Sequence, residues 1–162
     1  MEWKINSRDS VIADVRPHKT HLYSCRNGIV SMPITKCNPD VVHSPAGNYS
    51  HLAVVPPGAR TLYLAGQLGM HKDGAVPEAV EDQFEQALQN ILEIVRSQGG
   101  TADHVAKLTF YYAVEPVDRG RHGRALRAMF GERRPAMTFI RVLGLADPKY
   151  KVEVDAVAAV SA

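Results

Sequence analysis

Glu153 and Asp155 alternate with apolar residues in the stretch 152–158, VEVDAVA. If that stretch is a strand, both carboxylates point to the same side. A strand carboxylate can aim a water molecule or carry a proton. The same alternation also describes a strand with one side in solvent, and the residues alone favour that reading. His43 and His51 stand eight residues apart, with no cysteine or carboxylate at zinc-like spacing. They read as solvated or core histidines rather than metal ligands. Cys25 and Cys37 are too few for a disulfide framework, and neither reads as catalytic. Arg133 and Arg134 precede Pro135 and read as a solvated basic turn. The expected site therefore uses no metal and no organic cofactor.

The elements that must position these groups follow from periodicity. Residues 51–55 (HLAVV) and 60–65 (RTLYLA) alternate as strands, joined by a turn at Pro56, Pro57 and Gly58. Phe84, Ala87, Leu88, Ile91 and Val95 recur at helical spacing, with Glu81, Asp82 and Glu85 near the positive end of the helix dipole. Gly99 and Gly100 end that helix. Residues 107–114 (KLTFYYAV) read as a strand, and a second helix follows Pro116, marked by Val117, Leu126, Met129 and Phe130 and closed by Gly131. Residues 136–143 and 151–160 complete the pattern as two more strands.

The order β-β-α-β-α-β-β predicts a two-layer α/β sandwich with both helices on one sheet face. The other face, with Tyr63, Tyr111 and Phe139 assigned to it, would be too apolar for water and would call for an oligomer. Residues 1–39 show weak periodicity broken by Pro17, Pro33 and Pro39. They are expected to be an N-terminal extension, either poorly structured or an arm on a partner subunit, and residues 40–162 to be the folded domain.

The 162 residues carry a formal net charge of +2, with 45% hydrophobic and 22% charged residues. That balance fits one soluble globular domain. No element carries a dense basic stripe, which argues against nucleic acid as a partner. No apolar run approaches the roughly 20 residues of a membrane span, and the first 30 residues lack the apolar segment of a signal peptide. A cytoplasmic location is the expectation.

Several short motifs resemble the reactive-intermediate deaminase family (Rid, or YjgF-type). Residues 47–50, GNYS, resemble its G-x-Y-S, and residues 64–67, LAGQ, its [SA]-G-Q. Residues 83–92, QFEQALQNIL, are similar to its Q-x-x-Q-x-L-x-N-[IL] helix. GGTADHVAKLT at 99–109 and VEVDAVA at 152–158 also follow its pattern, and PAMT at 135–138 stands where it has P-A-R-[ST]. The resemblance spans residues 40–162. It implies a chorismate-mutase-like fold assembled as a barrel-forming homotrimer, with a ligand cleft at each subunit interface. It also implies hydrolysis of reactive imines or enamines to ketones and ammonia.

Carried over position by position, the resemblance makes Glu153 the water-orienting acid, Tyr49 the ring that covers the ligand, and Gly66 the glycine that admits it. Ordinary packing is the alternative for Tyr49, and a strand-ending turn for Gly66. Met137 occupies the position of the family's carboxylate-binding arginine. Phe139 stands where cysteine is frequent, and Gly123 where an asparagine is usual. A thioether cannot replace a bidentate guanidinium. Arg141 shares the strand parity of Met137 but lies about 13 Å along the strand. Arg134, in the adjacent loop, is better placed to bind substrate. The readings are an imine or enamine hydrolase with an atypical substrate, a non-catalytic trimeric metabolite-binding protein, and, behind these, a ribonuclease.

Overall fold

The computed structural model describes residues 33–162. The expectation for residues 1–32 lies outside the described residues. The strands are β1 (Thr35–Cys37), β2 (Leu52–Val54), β3 (Arg60–Leu68), β4 (Val105–Tyr112), β5 (Ala136–Arg141) and β6 (Val152–Val160). The helices are α1 (Val80–Ser97) and α2 (Arg119–Phe130). Four strands form the main sheet in the order β3-β6-β4-β5. β4 and β5 run parallel, and the other pairs are antiparallel. A parallel pair needs a crossover, and α2 supplies it between β4 and β5.

Each helix forms where its sequence gives it a buried stripe and two ends. Phe84, Leu88, Ile91 and Val95 of α1 are fully buried, and α1 packs on β3 and β6. Gly99 ends α1 in the left-handed region (φ 81°), with its N–H donating to the Arg96 carbonyl at 2.9 Å. Asp118 caps α2 by accepting from the Arg121 N–H at 2.9 Å. The Arg121 guanidinium then reaches back to Glu85 at 2.7 Å and Asp82 at 2.6 Å, tying α2 to α1. The strand residues facing the helices are Leu108, Phe110 and Tyr112 of β4 with Val152, Val154 and Ala156 of β6, all buried. Phe84 stacks on Phe110 with centroids 5.5 Å apart.

Gln83 is polar and fully buried in this core. Its amide donates to the carbonyls of Pro77 (2.7 Å) and Lys149 (2.8 Å), and its carbonyl accepts from the Lys151 N–H (2.8 Å). One side chain thus fixes the entry to α1 against the entry to β6. Gln83→Leu keeps much of the volume but strands three backbone groups. It should lower stability by about 2–4 kcal/mol in a urea titration. A loss under about 0.5 kcal/mol would show that those groups find other partners.

Three expectations change. A strand, β1, forms inside the stretch read as extension, and Ile34 beside it is buried. β2 pairs with β1 in a separate two-stranded sheet rather than with β3, so residues 56–59 link two sheets. Phe139 does not share a face with Tyr63 and Tyr111: it pairs in register with Phe110 and stacks on it at 4.4 Å, on the helix side. The helix-free face is mixed rather than apolar. Tyr63 is 85% exposed there. The same face holds a polar network in which Tyr111 donates to Asp155 at 3.0 Å and Lys107 bonds Thr138.

Candidate functional site

Strand alternation divides the candidate residues between two places. Glu153 lies on the helix-free face of β6, in register with Tyr111 of β4 and Leu68 of β3. The β3–β6 register slips between Leu64 and Gln67, and Gly66 sits in that irregularity. A Cβ at 66 would overlap the Glu153 carboxylate. Glycine at 66 lets the Glu153 carboxylate lie against the β3 backbone, and a larger residue there would push that carboxylate aside. Asp155 shares this face but is engaged by the Tyr111 hydroxyl.

The second place is a cavity of about 460 Å³ on the helix side. It sits at the carboxyl ends of the parallel pair β4 and β5, where α/β sheets commonly receive ligands. Tyr49, Tyr112 and Phe139 give it aromatic walls. Tyr49 is held by residues 46–51: its hydroxyl accepts from the Ala46 N–H at 3.4 Å, and its ring meets His51 edge-on at 5.3 Å. His51 in turn bonds the His43 carbonyl at 2.9 Å, which accounts for both histidines structurally.

Arg134 lines the same cavity and is only 4% exposed. This corrects the solvated basic turn at Arg134, whereas Arg133 is exposed as that reading expects. Ser50 is responsible: its hydroxyl donates to the Arg134 carbonyl at 2.8 Å, and its N–H donates to the Pro135 carbonyl at 3.2 Å. These bonds fold residues 48–50 over the loop. The Arg134 guanidinium donates to the Asn48 carbonyl at 3.2 Å. Burial, with the nearby Arg127 charge, holds its pKa below the ordinary arginine value. At the mouth, Arg119 and Arg141 both pair with Glu115.

Met137 is 8% exposed and belongs to the core beside Leu108, whereas Phe139 lines the cavity. Sequence reasoning missed His122, although Arg119, His122, Gly123 and Leu126 follow the helical i, i+3, i+4, i+7 spacing and all line the cavity. His122 is 6% exposed and stacks on Phe84 at 4.1 Å. Its Nδ1 hydrogen-bonds the Tyr112 hydroxyl at 3.1 Å, and its Nε2 is buried without a partner among the described residues. Burial pushes the Tyr112 phenol well above its ordinary range and His122 below its own. The pair is therefore neutral at physiological pH.

Among the described residues, no three histidine, cysteine or acidic side chains gather as metal ligands. No helix among them is long and apolar enough to cross a membrane.

These features define an α/β sandwich with one uncovered sheet face and a cationic, aromatic-walled cleft at the strand ends. Residues 41–160 match the family described as Endoribonuclease L-PSP. The chain is 32% identical to a rat 2-iminobutanoate/2-iminopropanoate deaminase over 115 residues, 69% of this chain and 80% of the relative. The bovine protein of the same name is 34% identical over the same shares. Among solved structures, the Rid-family protein YyfB from Yersinia pestis aligns with a TM-score of 0.66 at 27% identity, over 79% of this chain and 99% of that one. RidA from an Antarctic Psychrobacter aligns at 0.56 and 25% identity, over 77% and 98%. The chain belongs to the Rid family.

Proposed function

We propose that this protein hydrolyses a reactive imine or enamine of a 2-oxo acid, releasing the keto acid and ammonia. The carrying observation is the Glu153 carboxylate lying against Gly66 on the helix-free face of the sheet. Such a carboxylate can accept a proton from water as it adds to the imine carbon, and return it to the departing nitrogen. The added water supplies the ketone oxygen, and the nitrogen leaves as ammonia. The deaminase names of the rat and bovine relatives support the same chemistry.

The reading also requires an oligomer. Glu153 and the cavity lie on opposite faces of one sheet, so one chain cannot bring them together. A homotrimer that sets Glu153 and Gly66 of one copy beside Tyr49, Phe139 and Arg134 of the next would supply the complete cleft. Met137 favours a second reading, a trimeric metabolite-binding protein without catalysis, because that buried thioether offers a substrate carboxylate no clamp.

The test generates 2-iminopropanoate and larger, including aromatic, 2-imino acids in situ from an amino-acid oxidase and follows each keto acid with and without the protein. The expected result is accelerated keto acid release from a particle of roughly three times the 17.8 kDa chain mass by light scattering. A trimer without acceleration of any imine supports the binding protein. A stable monomer removes the shared cleft and the reading with it.

A further inference from the structure

Among the described residues of the cavity wall, Arg134 is the charge that is both buried and without an acidic partner. The acids near it are committed elsewhere. Glu132, whose charge reaches it, pairs with Arg127 at 3.3 Å. Glu115 pairs with Arg119 and Arg141. The Arg134 guanidinium donates instead to the neutral carbonyl of Asn48. A buried guanidinium keeps its charge, and burying it without a counter-charge is costly. The cost is met when an anion enters the same space.

The rest of the wall describes that anion. Tyr49 and Phe139 line the same cavity as Arg134, and Phe139 is backed by Phe110 at 4.4 Å with the rings nearly parallel. A cavity of about 460 Å³ is ample for an aromatic ring and its side chain, and much larger than a three-carbon acid needs. Arg119 and Arg141, which share Glu115, are exposed to solvent, so Arg134 is the one buried positive charge, and a single buried charge suits a monoanion better than a phosphate dianion.

We propose that Arg134 is the carboxylate anchor of this cavity, and that the ligand is an aromatic 2-oxo acid or its imine, its ring lying on Tyr49 and Phe139. This rests on the deaminase reading for the reaction, but not for binding. It assigns the anion contact to the loop before β5 instead of to position 137 on the strand. His122 lines the same cavity and, being neutral, adds no second charge to it.

The experiment is calorimetric titration of the full chain with phenylpyruvate, pyruvate, phenylacetone and inorganic phosphate. Phenylacetone keeps the ring and ketone and lacks the carboxylate. Wild type should bind phenylpyruvate about 10–100-fold more tightly than phenylacetone, the ratio that a hydrogen-bonded carboxylate contributes. It should also prefer phenylpyruvate to pyruvate. Arg134→Gln should abolish the preference over phenylacetone, and Arg134→Lys should restore part of it.

Equal weakening of both ring compounds by Arg134→Gln would mean that Arg134 only shapes the loop, and would overturn the proposal. So would equal wild-type affinity for both, a comparison that needs no variant to fold. Displacement of phenylpyruvate by equimolar phosphate would reassign the site to phosphate. Phenylpyruvate binding without imine turnover would leave the anchor standing and remove the enzyme. Turnover indifferent to Arg134→Gln would do the reverse.

Discussion

Glu153→Gln should lower imine hydrolysis by about 10²-fold or more, the usual contribution of a positioned proton-transfer group. The amide nearly matches the carboxylate in shape and still fits against Gly66, so the melting temperature and the oligomeric state should not change. Asp155→Asn is the control. It lies two residues along the same strand on the same face, but its carboxylate is occupied by the Tyr111 hydroxyl. It should leave turnover within about an order of magnitude. If Asp155→Asn inactivates and Glu153→Gln does not, the wrong acid has been assigned the reaction. If neither changes the rate, the hydrolysis does not pass through this face.

Phe110→Ala should cost about 3–5 kcal/mol, a large part of the stability of a domain this size. The ring is fully buried at the centre of β4, stacked between Phe84 and Phe139. Removing it opens a void that two aromatic neighbours cannot close without leaving their strand and helix. The measurement is a urea midpoint at fixed protein concentration, because an oligomer's stability depends on it. Phe139→Ala should cost under about 1.5 kcal/mol, since that ring is 52% exposed, yet it should weaken phenylpyruvate binding. A cost for Phe110→Ala close to that of Phe139→Ala would contradict the stacked core.

The Rid-type layout is legible in the amino-acid sequence because its signals are local. Apolar spacing in residues 84–95 sets one buried helix stripe, and Gly99 and Gly131 can take the left-handed conformation where each helix stops. The alternation of VEVDAVA puts Glu153 and Asp155 on one face whatever the strand pairs with. The absence of an arginine at 137 needs only the motif.

Other features depend on which segments meet across the chain, and no local pattern encodes that. β1 is three residues between prolines, and it exists because Leu52–Val54 pairs with it. Phe139 faces the helices, not the open face, because β5 runs parallel to β4 with Phe139 opposite Phe110. Arg134 looks like any basic turn residue, and it is buried only because Ser50, 84 residues earlier, bonds its carbonyl and brings residues 48–50 across it. The separation of Glu153 from the cavity is likewise a matter of sheet faces. The sequence by itself determined the two helices, the strands of the main sheet, the shared face of Glu153 and Asp155, and the family. The tertiary structure decided which charged group is deprived of water, because burial depends on contacts between residues far apart along the chain.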